Sequence, residues 1–158
     1  MSKKMHVLSM IAAATGLALS GAAVAQSGEA DLQVKQSKQF GEYIVDADGG
    51  ALYLFTTDTQ GQGSSKARSS CQDECLKVWP AYTIEGEPKV GDQLQQDLVS
   101  TFKRADGQTQ VTYGGWPLYY FQKDSGANAP QGQDVHGFGG EWYLVAPDGS
   151  KVEKEQQQ

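Results

Sequence analysis

Basic side chains, histidine, methionine and long apolar runs are all scarce in this chain of 158 residues. Thirteen Lys and Arg stand against 19 Asp and Glu, a formal charge of −6. Without a basic stretch, that balance argues against nucleic acid and anionic lipid surfaces as partners. All three methionines and His6 fall within the first 25 residues, which leaves His136 as the one histidine beyond them. A Ser-His-Asp or Cys-His catalytic arrangement would have to use it. A blue-copper site with two histidines and an axial methionine cannot be built there. The one apolar run, Val7 to about Leu19, is too short and too interrupted by Thr15 and Gly16 for a permanent transmembrane segment.

That run follows Lys3 and Lys4 and precedes Ala23-Val24-Ala25, the order of a secretory signal with a small-x-small cleavage site. Cleavage near Ala25 leaves 133 residues with a formal charge of −8, because only the two lysines are lost. No cysteine follows the site, so no N-terminal lipid is expected, and the product is expected in the periplasm or outside the cell. Residues 26–38 are polar and aperiodic and read as a flexible leader, and 154–158 as a flexible tail. A single β domain is expected over 39–153.

Short runs of Tyr, Phe, Val, Leu and Thr between Asp-Gly and Gly-Gly turns fill that span. Hairpins are expected from Tyr43–Val45 with Ala51–Thr56, and from Val99–Arg104 with Gln108–Tyr113. Further strands are expected at Pro117–Phe121, Trp142–Ala146 and Ser150–Val152. Thr57–Ser70, Ile84–Gln96 and Gln122–Gly139 read as loops. Cys71–Val78 reads as a short helix capped by Ser69 or Ser70, with Asp73 and Glu74 in its first turn. The turn Asp46-Ala47-Asp48-Gly49 lacks the later ligands of a calcium loop and reads as a hairpin turn.

The chain repeats itself. Shifted by 66, residues 41–58 match 107–124 at seven of 18 positions, and both copies end Leu-Tyr-x-Phe-x-x-Asp (52–58 and 118–124). Trp79 follows the first copy and Trp142 the second. Two units predict one all-β domain, a small sandwich or barrel-like sheet in which pseudo-symmetric halves (about 41–80 and 107–146) cover each other, with one short helix at the cysteines. In extended strands Tyr53 and Phe55 share one face and Leu52 and Leu54 the other, and Tyr119 and Phe121 repeat the pattern opposite Leu118 and Tyr120. Both faces are apolar, so these strands are expected to be covered on each side. Asp58 and Asp124 lie just past the strand ends, where Asp commonly accepts turn N–H groups. Symmetry could instead bring the two together as an acid–base pair, which makes a hydrolase one reading.

Cys71 and Cys75 are the only cysteines, and an even count in an exported chain predicts a disulfide. Cβ atoms four apart on a helix are about 5–6 Å from each other, farther than the ~3.8 Å of a disulfide, so the bonded turn should be tightened or irregular. Their spacing is not that of a thioredoxin centre or a zinc knuckle, and Leu76 after Cys75 excludes covalent haem of the c type. A transition metal on Cys71, Cys75 and His136, brought in by the loop Asp134–Gly140, is the redox or metal alternative.

The doubled Leu-Tyr-x-Phe-x-x-Asp, Cys71-x-x-x-Cys75-x-x-x-Trp79-Pro80, the stretch Arg104–Phe121 and Trp142-Tyr143-x-Val145-Ala146-Pro147-Asp148-Gly149 occur in the order of a known family. Over residues 39–149 the chain resembles the bacterial secreted repeats of unknown function, also described as predicted lipoproteins with a Tyr-x-aromatic-x-x-Asp motif. The resemblance implies a cell-envelope location and the two-repeat architecture, and it implies no activity. The lipid-accepting cysteine of many relatives is missing. The reading is therefore a non-catalytic exported β domain, without a cofactor, that binds an envelope protein, a glycan or a small ligand. The candidate residues are Tyr53, Phe55, Asp58, Trp79, Trp116, Tyr119, Phe121, Asp124 and Trp142.

Overall fold

The computed structural model describes residues 30–124 and 130–153, and the expected signal, residues 26–29 of the leader and the tail 154–158 lie outside them. Nearly all regular structure is β. The strands are β1 (Leu32–Ser37), β2 (Gly41–Asp46), β3 (Tyr53–Phe55), β4 (Val99–Lys103), β5 (Thr109–Tyr113), β6 (Trp116–Pro117), β7 (Val135–Gly137) and β8 (Gly140–Leu144). They make three antiparallel sheets, β1–β2, β3–β8–β7 and β4–β5–β6.

Isolated bridges join the sheets, and the central one defines the symmetry. Tyr53 and Tyr119 face each other antiparallel and exchange both backbone hydrogen bonds at 2.9 Å. These two residues are 66 apart, so the pseudo-twofold axis runs between them. On one side Tyr53 pairs with Leu144 of β8, and on the other Tyr119 pairs with Ala81. Each repeat thus contributes its motif strand to the centre and its post-Trp segment to the flank.

The alternation expected of the motif strands is what the fold uses. Tyr53, Phe55, Tyr119 and Phe121 belong to one buried cluster with Trp79, Trp142 and the disulfide. Leu52, Leu54 and Leu118 belong to a second cluster on the other side, with Val111 and Tyr113. A strand covered on both faces needs this uninterrupted apolar composition.

Three expectations are corrected. The leader is not flexible from Leu32 onward: β1 pairs with β2 from Leu32↔Asp46 to Ser37↔Gly41, and Leu32 is fully buried. Backbone pairing and one anchor residue order a segment whose composition is polar. The helix is shorter than Cys71–Val78. It runs Glu74–Val78 as α1, its N-cap is Asp73, and neither serine caps it. The loop Gln122–Gly139 contains β7, which pairs with β8 and not with a motif strand.

Candidate functional site

Each motif tyrosine reaches across the axis to the other repeat's aspartate. The Tyr53 hydroxyl donates to Asp124 Oδ2 at 2.5 Å, and the Tyr119 hydroxyl donates to Asp58 Oδ2 at 2.6 Å. The second oxygen of each carboxylate holds a loop: Asp58 Oδ1 accepts the backbone N–H and hydroxyl of Ser70, and Asp124 Oδ1 accepts the backbone N–H of Gln131 at 2.7 Å. The carboxylates therefore do not close their own turns, nor do they form a shared pair; among the described residues they have no hydrogen bond to each other and no common partner.

Burial raises the Asp58 carboxyl above its ordinary range, against the opposing pull of Ser70, Tyr119 and the Arg104 charge. Burial, and then the facing carboxylates, push both tyrosine hydroxyls far above the usual phenol range. The two phenols therefore stay protonated at neutral pH. A proton shuttle needs a value near the working pH.

The candidate aromatic residues form one column. Phe55 stacks on Trp142 at 4.0 Å, Trp142 on Trp79 at 3.9 Å, and Trp79 on Phe121 at 4.1 Å. Tyr119 meets Trp142 edge-on and Tyr53 meets Trp79 edge-on. Every one of these contacts except Tyr53–Trp79 and Tyr119–Trp142 crosses between repeats. Such pairs contribute roughly 0.5–1.5 kcal/mol each beyond area burial. The column is closed to solvent: both tryptophans are at most 1% exposed.

Cys71 and Cys75 form a disulfide with Cα atoms 5.3 Å apart, both buried. As its geometry demands, the bonded turn is not regular helix: Cys71 lies outside α1, and Asp73 has φ 47°. The Cys71 carbonyl accepts from Ser69 Oγ and from Arg104 Nη2 at 2.8 Å. Arg104 Nη1 in turn donates to Gln110, whose amide donates to the Leu118 carbonyl. This buried polar chain ties the disulfide turn to the second motif strand. Nothing in the sequence marks Arg104 or Gln110 as interior, because both residue types usually face water. Ser69 and Ser70, expected as helix caps, instead serve the Tyr119–Asp58 pair.

The metal alternative is not assembled. The bonded sulfurs offer no thiolate, and His136 is exposed on β7, 3.8 Å from Asp134 and 3.6 Å from Glu141. Among the described residues no group of three His, Cys, Asp or Glu is placed to hold a metal ion.

Trp116 is the one candidate aromatic that reaches an open surface. It lines a groove of about 1240 Å³ between the loop 57–70 and the β4–β5–β6 sheet. The loop is far from irregular. Thr59 and Arg68 exchange backbone bonds, Gly61 N–H donates to the Gly115 carbonyl at 2.9 Å, and Gln60 Nε2 donates to the Gly114 carbonyl at 2.7 Å. Gly115 has φ 81°, and a Cβ there would lie 2.0 Å from the Gly61 oxygen, so only glycine allows the loop to come this close. Gln62, Ser65, Lys66, Ser100 and Thr101 line the groove with polar groups, and Leu54 and Phe102 with apolar ones. The repeat symmetry ends here: the first motif leads into this loop and the disulfide turn, the second into the β7–β8 hairpin.

No helix among the described residues is long and apolar enough to cross a membrane. No curated protein and no solved structure matches the chain. The family described as a secreted repeat of unknown function matches residues 36–83 and again 100–146, on either side of the pseudo-twofold axis, and the chain belongs to that family.

Proposed function

We propose that this is a non-catalytic recognition domain of an exported protein, and that its ligand, a small polar molecule or a glycan or protein segment of the cell envelope, lies in the groove beside Trp116. One observation carries the reading. The residues the repeat duplicates are engaged with one another in the core, whereas the residues around the groove are held in place and left open. Asp58, Asp124, Tyr53 and Tyr119 are bonded in reciprocal pairs, which leaves no free acid or base at the symmetric centre. The groove instead combines a half-buried indole with amide, hydroxyl and ammonium groups on a loop pinned by backbone bonds. A concave, mostly preformed site with a few placed polar groups is the usual form of a ligand pocket.

The test is a titration of isotope-labelled protein with soluble glycan fragments and peptides released from the cell envelope, followed by amide NMR. Saturable shifts confined to Gln62, Lys66, Thr101 and Trp116, and lost in Trp116→Ala with the fold intact, are expected. Saturable shifts clustered elsewhere, or turnover of any added fragment, contradict the proposal.

A further inference from the structure

The tip of the β7–β8 hairpin breaks two rules with one residue. Gly137 and Gly140 are paired, so Phe138 and Gly139 form a two-residue loop, with φ 54° and 84°. Positive φ at both central positions is the tight hairpin turn that favours Asn-Gly or Asp-Gly. Phenylalanine at the first of these positions is sterically disfavoured, since a bulky side chain rarely adopts left-handed backbone. The same ring is 49% exposed, the one large hydrophobic side chain left open to water among the described residues. Neither the turn nor the core gains from it. Backbone strain combined with an exposed aromatic is the mark of a contact made outside the chain.

The surroundings of the ring specify what it meets. Asp134 and Glu141 flank the hairpin 3.8 and 3.6 Å from His136, two acids around one histidine, and an apolar receptor with a basic rim complements that excess of acid. The molecule carries such a receptor. A cleft of about 610 Å³ beside the disulfide turn is lined by Leu76, Phe102 and Ala105, with Lys66, Arg68 and Lys103 at its border. Asp73 and Asp106 also border it, and Asp106 is paired with Arg104. Lys66, Arg68 and Lys103 make no ion pair among the described residues. The two surfaces are connected: Glu141 N–H donates to Thr56 Oγ1, and the Thr57 hydroxyl is bonded to that of Ser70, at the foot of the loop that carries Lys66 and Arg68. A reciprocal twofold pairing uses the knob and the cleft of one patch on each copy, which is part of what is proposed.

We propose that two copies of this chain associate reciprocally, Phe138 of each entering the Leu76–Phe102 cleft of the other. Lys66, Phe102 and Lys103 line both this cleft and the groove beside Trp116, so the pairing is tested on protein without any added groove ligand. Sedimentation equilibrium of the purified protein from micromolar to submillimolar concentration tests it, together with F138N and K66E. The wild type should pass from monomer to dimer, with an association that weakens as salt rises. F138N should weaken the dimer at least about tenfold, as loss of an aromatic anchor does. Its thermal midpoint should be unchanged or higher, because Asn is at home at positive φ. K66E should weaken the dimer with no change in thermal midpoint. A monomer at every concentration overturns the proposal. So does a dimer that neither substitution weakens, or an F138N protein that unfolds at lower temperature, which would make Phe138 a folding residue.

Discussion

Alkaline pH should unfold this domain through the two tyrosines at its axis. Tyr53 and Tyr119 are fully buried, and each hydroxyl donates to a carboxylate. Ionising either would bury a phenolate against an anion, so both pKa values in the folded state lie far above the unfolded value of about 10. Their contribution to stability is complete below about pH 10 and is lost as pH rises beyond it toward the folded values. Over that range the unfolded chain releases two protons that the folded chain keeps. At about 1.36 kcal/mol per proton per pH unit, stability falls by roughly 2.7 kcal/mol per unit, or about 2.8 kcal/mol in all by pH 11. Against the roughly 5–15 kcal/mol of an ordinary domain, that is a large share. Denaturant titrations at a series of pH values from 8 upward, read by near-UV circular dichroism, give the slope, and tyrosinate absorbance gives the ionisation. The double variant Y53F/Y119F should lose the part of the slope due to these two residues. The reasoning is refuted if the folded wild type shows all seven tyrosines ionising near pH 10 with its stability unchanged.

Two further predictions concern the local geometry. Gly49 and Gly115 occupy the same repeat position with φ 85° and 81°, but only a Cβ on Gly115 meets backbone. G49A should cost about 1–2 kcal/mol for the conformation alone, and G115A about 3 kcal/mol or more; equal losses in urea midpoints would contradict the close approach of Gly61. Replacing both Cys71 and Cys75 with serine should cost about 2 kcal/mol, the chain-entropy value for so short a loop. An unchanged midpoint would show that the bond constrains nothing.

Much of this fold is legible in the sequence because repetition and alternation are physical signals. The 66-residue shift identifies the halves, and apolar side chains on both faces of Leu52–Phe55 and Leu118–Phe121 place those strands at the centre. What the sequence conceals is which copy a side chain serves. Tyr53 has the same spacing to Asp58 as Tyr119 has to Asp124, and only the antiparallel crossing at Tyr53↔Tyr119 shows that each bonds the other's aspartate. The serines at 69 and 70 mislead for a related reason, since the hydroxyl that caps a helix equally well tethers a buried carboxylate. In β1 only Leu32 is fully buried and Lys35 and Gln36 are exposed, so the apolar alternation stops after Val34 and is too short to read as a strand. Phe138 is concealed because its strain exists only in the folded turn.

The central claim is that the duplicated Tyr and Asp form reciprocal structural pairs, and double-mutant cycles on folding stability test it most directly. Y53F with D124N and Y119F with D58N should each show coupling of roughly 1–3 kcal/mol, the range for contacting residues and for hydrogen bonds to charged groups. Y53F with D58N and Y119F with D124N share no hydrogen bond and should be additive within about 0.5 kcal/mol. Coupling within each repeat and additivity across the axis would contradict the account.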